Sequence, residues 1–323
     1  MNKYTTLLAH IVALVVVIIW GSTFVFTKLL LLAGLTAAEI FVLRFIIAYL
    51  MLLGFALTQK SFHLLSASVK DEALMLALGI VGGSLYFLTE NSAMNYTTTT
   101  NTSLIVCMCP LFATALISLF YKSQRLHAIQ VLGTLMAAVG VVVVVLNGRF
   151  VLHLSPLGDT LAFVACLCWA LYSLLMIPAT HRYSTLFITR KVFFYGLLSV
   201  IPYYLIWPSS PSLEVLLRPD VLGNLLFLGC VASMLCFLAW NWVIRKLGAV
   251  IATNYVYFNP VVTALFAWLI LSERITIFFV IGSVLILVGM YLISKKRPAK
   301  LHSVRNFISH YFCRLPLSRL RWP

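Results

Sequence analysis

Charge is scarce in this sequence. Asp, Glu, Lys and Arg together make up 10% of the residues, and only eight of them are acidic. A soluble domain keeps roughly a quarter of its residues charged, so an ordinary water-soluble fold is excluded. Catalytic signatures are absent as well. No H-E-x-x-H, G-x-S-x-G or Walker A pattern occurs, which argues against hydrolysis of a substrate or of ATP. The histidines (His10, His63, His127, His153, His181, His302 and His310) fall at expected helix ends, in loops or in the tail. Cysteine is sparse and odd in number, at seven. Cys107, Cys109, Cys166, Cys168, Cys230 and Cys236 sit in apolar runs as small hydrophobes, and the two Cys-x-Cys pairs aim their thiols at different helix faces, a poor metal site. No cofactor and no metal are expected.

What is present is apolar surface: 62% hydrophobic residues and a mean hydropathy of +1.04. A helix needs about 20 apolar residues to cross ~30 Å of hydrocarbon, so the chain has room for about ten spans and no sizeable soluble domain. The run from Leu7 passes Trp20 without a small-residue cleavage site and reads as a retained first helix. Polar interruptions predict helices over 7–30, 36–58, 73–93, 98–121, 127–146, 157–178, 185–207, 221–244, 248–271 and 275–294. The fold class expected is an all-α membrane protein.

The formal charge of +15 is confined to one side of that scheme. With both termini inside, the inner segments hold most of the 23 Lys and Arg, among them Lys60, Lys122, Arg125, Arg190, Lys191, Arg245 and Lys246. The outer loops hold only Arg149, Arg218 and Arg274. This bias sets the orientation, and it explains the basic charge without a nucleic-acid partner. The tail 295–323 mixes basic residues with Phe307, Tyr311, Phe312 and Trp322. That composition suits the anionic inner leaflet, and a disordered stop-transfer tail accounts for it equally.

An offset of about 149 residues aligns Trp20 with Trp169, Asn91 with Asn241, Pro110 with Pro260, and Ser123-Gln124-Arg125 with Ser272-Glu273-Arg274. It also aligns Gly133 and Gly140 with Gly282 and Gly289. The chain thus divides into a repeat at 1–148, a second at 149–294 and the tail. Five helices per copy is odd, so tandem copies must enter the membrane with opposite polarity. Inverted repeats are the architecture of many alternating-access transporters.

These features, with Trp20-Gly21-Ser22, Lys28 and Arg44-Phe45, make the sequence resemble the ten-helix EamA type of the drug/metabolite transporter superfamily. The resemblance covers residues ~7–294. It implies two inverted five-helix halves around a central cavity, and export of amino acids, related metabolites or toxic organic compounds. Gln124 and the polar stretch Thr97 to Ser103 depart from the family pattern.

Depth along the helices selects candidate site residues. Trp20 and Trp169 lie roughly 18–20 Å along their helices, far from the interfacial belts, and either line a cavity or pack with an internal acceptor. Trp207, Trp240, Trp242 and Trp268 fall near helix ends, where tryptophan needs no further account. Pro110 and Pro260 break helices near mid-bilayer and free the carbonyls of Val106 and Val256. Tyr255, Tyr257 and Asn259 cluster before the second break. Arg44 and Glu90 are charges within spans; Arg44 is expected to pair with Glu39 or Glu90, while Lys28 and Glu39 are expected to snorkel outward. The glycine pairs read as close helix packing.

The function expected is a secondary transporter, an exporter of small organic metabolites such as amino acids, with a mid-bilayer site between the repeats and Trp20 and Trp169 on opposite walls. It would sit in a bacterial-type inner membrane, as a monomer or weak dimer among lipid. A passive channel or lipid scramblase is the alternative; a membrane enzyme would need facing catalytic groups that the sequence does not offer.

Overall fold

In the computed structural model, which describes residues 3–59, 63–97, 99–121, 126–146, 155–271 and 276–294, capping side chains set where several helices begin. Helix α1 (Lys3–Leu32) ends just before Gly34, whose φ of 101° only glycine adopts freely. Thr36 then opens α2 (Ala37–Leu57): its hydroxyl accepts from the Glu39 N–H, while the Glu39 carboxylate accepts the Thr36 N–H at 2.8 Å. Glu39 is therefore a buried cap and not a snorkelling charge. Lys28 likewise turns inward and donates to the Met94 carbonyl at 2.9 Å.

Ser68, Ser155 and Ser184 cap α3 (Val69–Tyr96), α6 (Pro156–Arg182) and α7 (Thr185–Ile206). The remaining long elements are α4 (Thr99–Val106 and Cys109–Phe120), α5 (Ala128–Leu146), α8 (Pro219–Leu247), α9 (Ala249–Asn254, a 3-10 turn at Tyr255–Phe258, then Asn259–Leu271) and α10 (Ile277–Ser294). Gly248, at φ 88°, alone separates α8 from α9. No strand occurs among the described residues. Among the described residues seven segments, in α1 to α4 and α6 to α8, are long and apolar enough to cross a membrane, and α5 and α10 are shorter apolar helices. Lys60, Lys122, Arg125, Arg149 and Arg274, both Ser-x-Arg turns and the tail from Lys295 lie outside the described residues.

Irregular backbone recurs at corresponding places. Helix α3 carries a π-helical stretch at Ile80–Ser84 and α8 one at Phe227–Leu235. Helix α4 is interrupted between Val106 and Cys109 and resumes with Pro110 in its first turn; α9 is interrupted by its 3-10 turn and resumes at Asn259-Pro260. Such departures from regular helix need local partners when they lie deep in an apolar medium.

The packing is equally repetitive. Helix α1 packs on α8 and α9 while α6 packs on α3 and α4; α2 meets α8, α3 meets α7, α2 meets α7, and α5 meets α10. Exchanging α1–α5 for α6–α10 in order leaves this set of pairs unchanged. At the α5–α10 seam Gly133 faces Gly289 and Gly140 faces Gly282, so the two helices run antiparallel. A Cβ built on Gly289 would stand 2.5 Å from the Gly133 carbonyl, and one on Gly140 2.7 Å from that of Gly282. Only glycine permits this approach. The outward faces carry exposed Leu132, Leu135 and Val139 on α5 and Val280, Val284 and Leu287 on α10. Contiguous apolar surface of that extent is unfavourable in water and suits lipid.

Candidate functional site

Between the two sets of helices lies a cavity with six aromatic side chains in its walls. Trp20 on α1 and Trp169 on α6 meet edge to face with ring centroids 5.3 Å apart, and Phe237 and Trp240 of α8 complete the cluster around Trp20 at 5.6 and 5.0 Å. The two tryptophans therefore form one continuous wall, not opposite walls. Their polar edges differ. The Trp20 indole N–H donates to the Ala232 carbonyl at 2.9 Å, in the π-helical stretch of α8, whereas that of Trp169 has no partner among the described residues.

Arg44 enters from α2 and Glu90 from α3, both lining this cavity and both buried. They do not form an ion pair. Arg44 donates from Nε to the Ser233 hydroxyl at 2.9 Å and stacks over Phe87 at 4.4 Å, which corrects the expected pairing with Glu39 or Glu90. Its remaining guanidinium N–H groups have no protein acceptor among the described residues. Glu90 accepts the Tyr86 hydroxyl at 2.8 Å, one helical turn away on the same face. Buried charges that share a cavity without touching are costly unless a third species or a proton compensates them.

Asn259 reaches the same cavity from α9, its side-chain oxygen also without a partner among the described residues. Gly21 makes this possible. A Cβ there would lie 2.7 Å from the Val262 Cβ, and in its absence the Thr263 hydroxyl bonds the Gly21 carbonyl at 2.8 Å. The helix break at Pro110 adds Val106 and Cys109 to the lining, and that at Pro260 adds Val256.

Of the sequence-derived site residues, Trp20, Trp169, Arg44, Glu90 and Asn259 come together. Tyr255 and Tyr257 do not join them. Tyr255 bonds His10 at 2.6 Å and faces a separate small cleft with Asn254 and Met290; Tyr257 is fully buried, its hydroxyl without a partner among the described residues. Trp207 and Trp268 are exposed, as belt residues are, but Trp240 is 0% exposed at the centre of the cluster. Tyr86, Phe87, Phe237 and Ser233 were not singled out by sequence. The i, i+4 spacing of Tyr86 to Glu90, and the alignment of Ser233 with Ser84, were the available signals.

The cavity has room for about two water molecules (about 30 Å³). Its groups can hold a cation, an anion and flat apolar surface, and the enclosure is too small for a metabolite until helices part.

The chain matches the EamA-like transporter family over residues 7–146 and again over 156–295. An uncharacterized transporter of Archaeoglobus fulgidus is 27% identical over 293 residues, 89% of this chain and 98% of that protein. The uncharacterized transporter YyaM of Bacillus subtilis is 30% identical over 68% of this chain and 72% of its own. A probable amino-acid metabolite efflux pump of Escherichia coli is 25% identical over 87% and 93%. A crystal structure at 18% identity superposes with a TM-score of 0.70, covering 91% of this chain and 97% of the other, and has the same fold.

Proposed function

Because the chain belongs to the EamA-like transporter family, we propose that it exports small zwitterionic metabolites, amino acids among them, by alternating access between two inverted five-helix halves. Membrane transport itself follows from the family. Ten spans result when α5, α9 and α10 cross the bilayer together with the seven longer segments. Inversion is supported by the exchange-invariant packing and by the antiparallel glycine seam, since an in-plane two-fold axis brings equivalent helices together antiparallel. The Lys and Arg distribution favours both termini in the cytosol of a bacterial-type inner membrane, with the basic tail beside its anionic leaflet.

The observation that carries the substrate class is the unpaired Arg44 and Glu90 on one aromatic-walled cavity. A carboxylate bound to the free guanidinium N–H groups and an ammonium bound to Glu90 neutralise both charges at once. The Trp169 N–H and the Asn259 oxygen supply further contacts, and the rings take an apolar side chain. Neutralisation also couples binding to movement. A half-filled site leaves one buried charge exposed to low dielectric during any transition, whereas a filled one does not. The E. coli relative, described as a probable amino-acid metabolite efflux pump, agrees with this class.

Purified protein in liposomes tests the reading by counterflow of labelled aromatic and aliphatic amino acids. Saturable exchange is expected in wild type and in Trp207→Ala, and its loss is expected in monodisperse Trp169→Ala. Conductance or lipid flip without saturable exchange would assign the cavity to a channel or scramblase instead.

A further inference from the structure

Resting on the transport reading above, we propose that the charged cluster joining the ends of α3, α6 and α7 is the inner gate of the transport path, an ion-paired latch between the halves. Its outer counterpart is apolar.

The latch is built on the first turn of α3. Asp71 pairs with Arg182 at the end of α6 and accepts the Tyr183 hydroxyl at 2.9 Å. Tyr183 in turn accepts the Ala67 N–H at 2.9 Å. Glu72 binds both Lys191 and the Tyr195 hydroxyl of α7 through one oxygen, and its other oxygen accepts the Ser66 N–H at 2.7 Å. Arg190 donates to the His63 carbonyl. Apart from the Ser66 bond, every one of these joins the first half to the second. The Lys191 side chain is only 5% exposed, and an ammonium buried so far is tolerated only while its carboxylate stays in place. Parting the halves here strips a buried ion of its partner.

The repeat supplies the comparison. At the offset that aligns Trp20 with Trp169, Asp71 corresponds to Asp220 in the first turn of α8. Asp220 pairs with Arg218, two residues earlier in its own segment, and both side chains are at least half exposed. Glu72 corresponds to Val221 and Lys191 to Val42. Val221 and Leu225 are buried against α1 and α2 in a seam without ion pairs among the described residues. The seams between the halves are thus bridged by ion pairs at one face and, among the described residues, not at the other. In an inverted-repeat transporter these seams open in alternation, so their unequal cost sets which face the cavity rests open to. Opening toward the cytosol requires breaking the latch, and the resting protein keeps its cavity closed on that side.

Cys109 is a native reporter, since it lines the cavity and is 0% exposed in this conformer. Full-length protein in inside-out vesicles is treated with a membrane-impermeant maleimide, and modification of Cys109 is followed by peptide-resolved mass spectrometry. Glu72→Gln and Lys191→Met should each raise the Cys109 rate by at least about tenfold. Asp220→Asn should leave it at the wild-type rate. Arg182→Gln should fold even if the buried variants do not, because the Arg182 side chain is 60% exposed, and it should raise the rate about threefold. Unchanged rates in the folded latch variants, or an equal rise in Asp220→Asn, would overturn the gate. Flat labelling with intact wild-type counterflow refutes the gate alone; absence of counterflow refutes the transport reading beneath it.

Discussion

Replacing Arg44 separates binding from folding, because the structure assigns the side chain two kinds of partner. Arg44→Gln removes a charge-assisted bond to Ser233, worth about 1.5–3 kcal/mol. It also removes a cation–π contact with Phe87, worth ~2 kcal/mol when desolvated. Against this, a buried cation without a carboxylate partner carries a desolvation penalty of several kcal/mol that the neutral amide does not. The two sides nearly cancel, so the melting temperature in detergent should change little. Transport should change a great deal. If the free guanidinium groups hold the substrate carboxylate, their loss removes about 2–3 kcal/mol of affinity, which corresponds to a half-saturation concentration raised about 30- to 150-fold. Arg44→Lys keeps the charge but replaces the planar fork with a single point donor that cannot serve Ser233 and a carboxylate together, so it should fall between. The assay is concentration-dependent counterflow in liposomes, read beside thermal unfolding of the same preparations. A wild-type half-saturation value in Arg44→Gln would refute the carboxylate anchor, and a large loss of thermal stability with unaltered affinity would make Arg44 a structural group.

Two further outcomes follow from packing. Gly289→Ala would set a methyl 2.5 Å from the Gly133 carbonyl and 2.7 Å from the Ala137 nitrogen, both backbone, and forcing α5 and α10 apart should destabilise by about 1–3 kcal/mol. Gly54→Ala, with nothing within 4 Å, should stabilise slightly in the same thermal assay, and equal behaviour of the two would refute the seam. Trp20→Phe removes the hydrogen bond to the Ala232 carbonyl, whereas Trp240→Phe deletes an indole N–H that has no partner among the described residues. The first should therefore cost about 1–3 kcal/mol more than the second, and equal shifts would mean the Trp20 bond contributes nothing.

Hydrophobic run length made the helices legible, and their ends fall within about one helical turn of those read from sequence. The paired glycines were legible for the same reason: spacing of seven residues in both copies admits little besides a close seam. Side-chain direction around each helix was not. Depth alone put Trp240 in an interfacial belt, yet α8 continues to Leu247 and turns that residue onto Trp20. Depth likewise grouped Tyr255 and Tyr257 with Asn259, but both tyrosines lie in the 3-10 turn Tyr255–Phe258, which turns them away from the cavity. Counting charges suggested that Arg44 needed a carboxylate. A serine on a π-helical stretch and the face of Phe87 serve it instead, and neither appears in a charge count. Of the charges from which the orientation was read, Lys60, Lys122, Arg125, Arg149, Arg274 and the tail lie outside the described residues.

Sided labelling of repeat-equivalent positions tests whether the two halves are inverted. Asn95 and Arg245 correspond in the two halves and both are exposed at helix ends. In an otherwise cysteine-free chain, Asn95→Cys should react with an impermeant maleimide only from the outside and Arg245→Cys only from the cytosol. Labelling of both positions from the same side would contradict inversion, and with it alternating access by exchange of the two halves.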